Sequence, residues 1–269
     1  MSENNTNRLP DYISYYDIDR IFLLGMRYLS YSIDFHDRVS SSHPVIASLF
    51  FQGTKACIRT AAKTLRSLVP PKYTDADPYK IFSVDPDNIQ RTTGEPFSKR
   101  RGWVVNGDWD KRGQPFMERV CPKAIKQRYV DELEWDDTIL ADHYSGRKYK
   151  RRCERIERLY RSIHSDGYRT QQELLSENPS SAWDGLNDAM HPLANEIAVD
   201  IGRNGEFLWN MCGQHRLAIA KVLDVEEVCV QVFRRHKDWQ QIRDRIQANG
   251  DVPDKLRDHP DLQDVLKSK

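Results

Sequence analysis

The run Met211-Cys212-Gly213-Gln214-His215-Arg216-Leu217-Ala218-Ile219-Ala220-Lys221-Val222-Leu223 carries the side chains best suited to holding an anion. A glycine, two nitrogen-rich side chains and an unbroken stretch of helix formers describe a loop that feeds a helix N-terminus. The first turn of a helix has backbone N–H groups without intrahelical acceptors and a partial positive charge, so it favours phosphate or carboxylate. Gly213 lets the backbone approach such a group closely, and His215 and Arg216 add charge-assisted hydrogen bonds. The same residues also suit an ordinary helix start. In that case Arg216 makes a surface pair while Leu217, Ala220 and Leu223 pack a core. Both readings stand on residue chemistry alone.

A second concentration lies at Gly102-Trp103-Val104-Val105-Asn106-Gly107-Asp108-Trp109-Asp110. Asp108 and Asp110 flank a tryptophan beside a flexible Asn-Gly, an arrangement that can place an acid near a substrate while the ring stacks on a flat ligand. It can equally be a β-turn with packed tryptophans and locally capping aspartates. Glu134-Trp135-Asp136-Asp137-Thr138 repeats the theme more weakly and reads as a loop and helix cap. Glu196, at the head of an apolar strand pattern, is a third carboxylate able to deprotonate an acceptor hydroxyl. No His pair or carboxylate set has firm metal-ligand spacing, so no dedicated metal site is expected.

The elements that must position these residues follow from periodicity. Glu196 to Ile201 and Val228 to Val232 read as strands around the Gly213 run, with a turn at Asn204-Gly205. Asp11 to Val69 reads as helical, and Ile18, Ile21, Phe22, Met26 and Leu29 mark a buried face. Ser41-Ser42-His43-Pro44 interrupts it, and a second helix should span Val45 to Leu68. Ile46, Leu49, Phe50, Gly53, Cys57, Ala61 and Leu68 share one side of that helix, and Lys55, Arg59, Lys63 and Arg66 the other. We expect the apolar side to pack and the basic side to be solvated. Peripheral contact of residues 45–68 with an anionic membrane is the less favoured use of the same pattern. Val69-Pro70-Pro71 should end the helix, with Lys72 to Tyr79 as a linker.

A charged helix is expected over Lys148 to His164, with Cys153, Ile156, Tyr160 and Ile163 inward and Lys150, Arg151, Arg155 and Arg158 outward. Glu154 and Glu157 interrupt the basic residues, which favours a solvated face over a nucleic-acid stripe. Asp166-Gly167 suits a helix stop, and Asn178 to His191 a surface loop. Arg234-Arg235-His236-Lys237-Asp238-Trp239 reads as a helix start with exposed charges, or as an extension of a phosphate site.

The chain has 269 residues, 41 Lys and Arg against 40 Asp and Glu, and a formal net charge of +1. It lacks the global basic field of most nucleic-acid binders, so nucleic acid is not the expected partner. Mean hydropathy is −0.73, no apolar run approaches the roughly 20 residues of a membrane span, and Met1 to Asn7 does not read as a signal peptide. Five scattered cysteines without a C-x-x-C suit a reducing cytoplasm.

Order and spacing together resemble the ParB/sulfiredoxin superfamily. The residues that carry the resemblance are Glu196 to Ile201, Gly213 to Leu223 with its Gly-x-His-Arg turn, and Val228 to Val232. Upstream, Leu159-Tyr-Arg-Ser-Ile163 with Gly167 resembles the family's helix end, and Ile81-Phe-Ser-Val-Asp-Pro86 its opening strand. The resemblance implies an α+β fold, a small mixed sheet with packed helices, preceded here by an N-terminal helical region. It divides the chain into residues 1–75, a family-like domain over 76–240 with insertions at about 92–150 and 172–195, and a helical tail over 241–269.

The resemblance also implies nucleotide phosphates on Gly213, Gln214, His215 and Arg216, with Tyr168, Arg169 and Gln171 lining the pocket. The ligand would be ATP, ADP or CTP with Mg²⁺, and the function phosphoryl transfer from a nucleotide to a small hydroxyl-bearing acceptor. His215, Asp108, Asp110 and Glu196 are then the candidate catalytic groups. Departures limit what transfers. Sulfiredoxins place their cysteine where Gln214 stands, and the family's free amino-acid kinases carry an aspartate where Cys212 stands. Partition proteins continue into a DNA-reading domain for which Phe233 to Lys269 is too short. A nucleotide-gated scaffold and a ParB-like DNA-associated protein without catalysis are the alternatives.

Overall fold

The computed structural model describes residues 44–68, 72–94, 101–184 and 191–267. The helical pattern expected over Asp11 to Ser40 and the Val69-Pro70-Pro71 stop lie outside these residues. Two compact units are distinguished, Met1–Phe51 and Gln52–Lys269. Helix α1, Pro44–Leu68, begins in the first, where Ala47 and Phe51 are buried, and ends in the second. Its apolar face is not the packed one. Ile46, Leu49, Phe50 and Leu68 are 53%, 69%, 42% and 57% exposed. The basic face is engaged instead. Arg59 grips Asp77 at 2.5 Å, and Arg66 reaches the Tyr73 carbonyl and Asp244. Hydrogen bonds to carboxylates distant in sequence thus engage the basic face among the described residues.

The second unit is α+β. Its strands are β1 (Ile81–Val84), β2 (Arg91–Thr92), β3 (Trp103–Val105), β4 (Ile197–Ile201), β5 (Phe207–Trp209) and β6 (Val228–His236). They form one mixed sheet in the order β1-β6-β4-β5-β2, with β3 also on β6. The long β6 takes β1 antiparallel along its first half and β3 parallel along its last three residues; β4 runs parallel on its other side. Residues expected to form an insertion therefore supply β3 to the sheet.

Arg234, Arg235 and His236 belong to β6 and are at most 5% exposed, which corrects the expectation of an exposed helix start there. The cause is a bulge. The β4–β6 register shifts between Val199 and Ile201. At that gap Asp200 accepts the Arg234 backbone N–H at 3.0 Å and its guanidinium at 2.6 Å, replacing a ladder bond with a charged one.

Helices cover the sheet: α2 (Val120–Tyr129), α3 (Ile139–His143), α4 (Gly146–Asp166), α5 (Gln171–Glu177), α6 (Pro179–Asp184), α7 (Gln214–Val222), α8 (Lys237–Asn249) and α9 (Gln263–Lys267). Helix α6 lies in what reads from sequence as a loop. The Glu134–Thr138 segment behaves as expected, Thr138 capping α3 through the Leu140 N–H. The core joins Ile197, Val199, Val230 and Val232 of the sheet to Ile125 of α2, Ile156 of α4 and Leu217 of α7. Among the described residues, no helix is long and apolar enough to cross a membrane.

Candidate anion site at the head of α7

Helix α7 opens from a short loop, Asn210 to Gly213, that carries two left-handed residues, Met211 (φ 58°) and Gly213 (φ 75°). Such a conformation is costly for a side-chain-bearing residue, and Met211 is moreover 41% exposed. At Gly213 the requirement is absolute. A Cβ there would lie 2.8 Å from Ile197 Cα, so the loop closes onto β4 only with glycine. Three hydrogen bonds lock it: Cys212 N–H to the Asn210 carbonyl, and Ala198 N–H and Trp209 Nε1 to the Cys212 carbonyl.

Gly213 is the N-cap of α7. It offers no side-chain cap, and the first turn has no acid. The amides of that turn therefore keep their donors and their dipole for something outside the helix.

His215 sits in this turn, partly buried, and its ring makes no hydrogen bond among the described residues. Burial, reinforced by the charges of Arg152 and Arg155 on α4, pulls its pKa down to about 4. Arg152 lies over the Tyr144 ring and donates to Cys121 Sγ at 3.3 Å, with no carboxylate partner among the described residues. Arg155 is half-buried. Desolvation and the repulsion of Arg152 and Arg158 press its pKa down. Arg119, the N-cap of α2, lies over the ring of Trp209, the last residue of β5. Arg152 and Arg155 thus lie close enough to His215 to act on its charge.

Arg216 is differently employed. Its guanidinium donates to Glu196 Oε2 at 3.2 Å and to the Asn195 carbonyl. Glu196 Oε1 accepts the Gln171 N–H at 2.6 Å. Arg216 therefore ties the first turn of α7 to the lead-in of β4 and to the start of α5. Burial pushes the Glu196 carboxyl upward against the pull of Arg216. Tyr168 stands beside this pair, its hydroxyl buried and its pKa raised by burial. Arg169 turns away to pair with Glu177. Gln171 contributes its backbone, and Thr170 and Glu173 close a capping box around the start of α5.

Asp108 and Asp110 do not join this group. Both are held by Arg203, at 2.7 Å each. For Asp110, burial would raise the carboxyl, but Arg203 and the nearby His236 hold it at about 2. Arg203 follows the far end of β4, while Gly213 abuts Ile197 at its start. Four strand steps of about 3.3 Å separate the two, roughly 13 Å. Asp108 and Asp110 are consequently clamps of the 202–205 turn, aided by His236 Nε2 on the Gly107 carbonyl.

The residues not anticipated are Arg152 and the inward lean of Arg155. Their signal was available: both border the inner stripe Cys153–Ile156 on the helical wheel, where a long cation lies half inside. No family model, no curated protein and no solved structure matches this chain.

Proposed function

We propose that the chain binds a nucleotide through its phosphates at the head of α7, as a divergent protein of ParB/sulfiredoxin type. The observation that carries the reading is the bare first turn of α7, opened by left-handed Gly213, without acid or side-chain cap and flanked by His215, Arg152 and Arg155. The order of β4, the Gly-x-His-Arg loop, α7 and β6 supports the family assignment. Among the described residues, no group of three or more His, Cys, Asp or Glu could hold a metal. Mg²⁺ accompanying the nucleotide would be held by phosphate oxygens and water.

Phosphoryl transfer to a small hydroxyl-bearing acceptor is the catalytic form of this reading. Glu196 favours it: of the three candidate carboxylates it alone lies on this side of β4, and its raised proton affinity suits a general base. The groups at the head of α7 would neutralise charge gathering on the transferred phosphoryl.

Calorimetric titration with ATP, ADP and CTP tests binding. His215→Ala and Arg152→Ala should each weaken it by about tenfold, the worth of one charge-assisted hydrogen bond. Unchanged affinity in both variants would remove the site. Incubation with labelled ATP and a panel of hydroxyl acceptors tests transfer; tight binding without labelled product would leave a nucleotide-gated scaffold.

A further inference from the structure

We propose that the chain pairs with a second copy of itself through the outward face of α4. The acidic segment 131–142 of each copy lies on the basic face of the other copy's α4, twice about a two-fold axis. This surface is separate from the head of α7 and stands or falls without the nucleotide reading.

Charge is segregated along this part of the chain. Residues 147–161 hold eight Lys and Arg against two Glu, a net +6. Residues 131–142 hold six Asp and Glu and no cation, a net −6, in a chain whose total is +1. The fold does not neutralise either block. Arg147, Lys148, Lys150, Arg151 and Arg158 are exposed and form no ion pair among the described residues, and the same holds for Asp131, Glu132, Asp137 and Asp142. Glu157, which from sequence should dilute the basic face, is turned toward Trp135 and accepts its indole N–H at 2.8 Å. Arg147, Arg151, Arg158 and Arg161 recur at helical spacing, on the side opposite the buried Cys153, Ile156 and Ile163.

The two blocks lie side by side. Tyr129 stacks on Tyr160 with ring centroids 3.6 Å apart, Trp135 donates to Glu157, and Asp136 accepts the Tyr149 hydroxyl at 2.7 Å. These contacts lay the acidic segment along α4 in the opposite sense, over about 16 Å of helix axis. Parallel rows of opposite sign are self-complementary. A two-fold axis between them, running along α4, brings the acids of each copy onto the cations of the other. Val130, 53% exposed at the head of the acidic row, adds apolar surface. The 21 residues of α4 and the row beside it make a strip about 30 Å by 20 Å, roughly 600 Å² per copy, the lower end of what specific pairs bury. Exposed charge pairs are individually weak, so the pairing should be loose and sensitive to salt.

Sedimentation equilibrium of the full chain over a range of concentrations tests this. The wild type should dimerise at about 0.05 M salt, and its affinity should fall about tenfold by about 0.5 M. Two charge-reversed variants, Arg151→Glu with Arg158→Glu and Asp137→Lys with Asp142→Lys, should each be monomeric, because like charges then meet across the axis. Mixed in equal amounts they should form a heterodimer, since each reversed row now faces its complement. Circular dichroism checks that both are folded. Should either misfold, Arg151→Gln with Arg158→Gln takes its place and should weaken the wild-type dimer about tenfold. A wild type that stays monomeric at low salt overturns the proposal, and so does a dimer indifferent to the reversals. A monomer that binds poly-L-glutamate or duplex DNA, and loses it in Arg151→Glu with Arg158→Glu, gives the basic face to a polyanion and overturns self-pairing too.

Discussion

Arg216 shows how one side chain can be claimed by packing as well as by chemistry. It lies in the turn that faces the proposed ligand, yet its fork is occupied by Glu196 and the Asn195 carbonyl. Removing it would leave the Glu196 carboxylate, 3% exposed, without its cation. Arg216→Ala should therefore cost stability, about 3 kcal/mol for an orphaned buried charge, in addition to any loss of binding. Urea denaturation reads the cost, and the double variant with Glu196→Gln should recover part of it. A single variant as stable as the wild type would mean the pair braces nothing. His215 makes a complementary prediction through pH. Its folded pKa, about 4, lies below the unfolded value of about 6.5. The folded state binds its proton less readily, so stability falls as pH drops from about 6.5 toward 4 and levels off below that. His215→Gln should reduce that slope, leaving the part due to His259, whose pKa burial also lowers.

At the scale of elements, the sequence shows the loop-to-helix transition at Gly213 because residue type alone dictates it. Only glycine fits a left-handed position pressed against Ile197. The strands around it are legible for the same local reason, alternation and β-branching at Ile197–Ile201 and Val228–Val232. What escapes is set by partners far along the chain. The amphipathic pattern of α1 marks two faces but cannot say which is used; Asp77 and Asp244, 18 and 178 residues away, decide for the basic one. Arg234-Arg235-His236 looks like a solvated helix start until Asp200 and Asp261 are placed beside it. The bulge at Asp200 is accordingly a structural necessity. Asp200→Ala would strand Arg234 inside the sheet and should lower stability by about 3–5 kcal/mol. A change under about 1 kcal/mol on chemical denaturation would show that solvent reaches Arg234.

For the second unit as a whole, the decisive charges lie away from the proposed site, where its last residues return to the sheet. Asp261 is fully buried and accepts from Arg235 at 2.5 Å and from the Trp239 indole at 2.9 Å. Arg243 bridges Asp261, Asp75 and Asp264, and Lys80 joins Asp264 at 3.0 Å. Burial alone would raise the Asp261 carboxyl, but Arg235 and Arg243 hold it far below the ordinary carboxylate range, and Arg243 does the same for Asp75. The sign follows from linkage. A depressed carboxylate contributes stability above its unfolded pKa of about 3.9, and that contribution is lost as pH falls further. Acid should thus weaken the unit in two stages: a slope below about pH 6.5 from His215 and from His259, whose pKa burial also lowers, then a steeper loss below about pH 4 as this network is protonated. Asp261→Asn separates them. It leaves Arg235 without a carboxylate and should cost about 3–5 kcal/mol at pH 7, flatten the lower stage and leave the His215 part of the upper one intact. Denaturation curves from pH 3 to 7 for the wild type, Asp261→Asn and His215→Gln measure both stages. If His215→Gln left the upper stage unchanged, that stage would belong to His259 and the C-terminal network, and His215 would carry its proton in the unliganded fold.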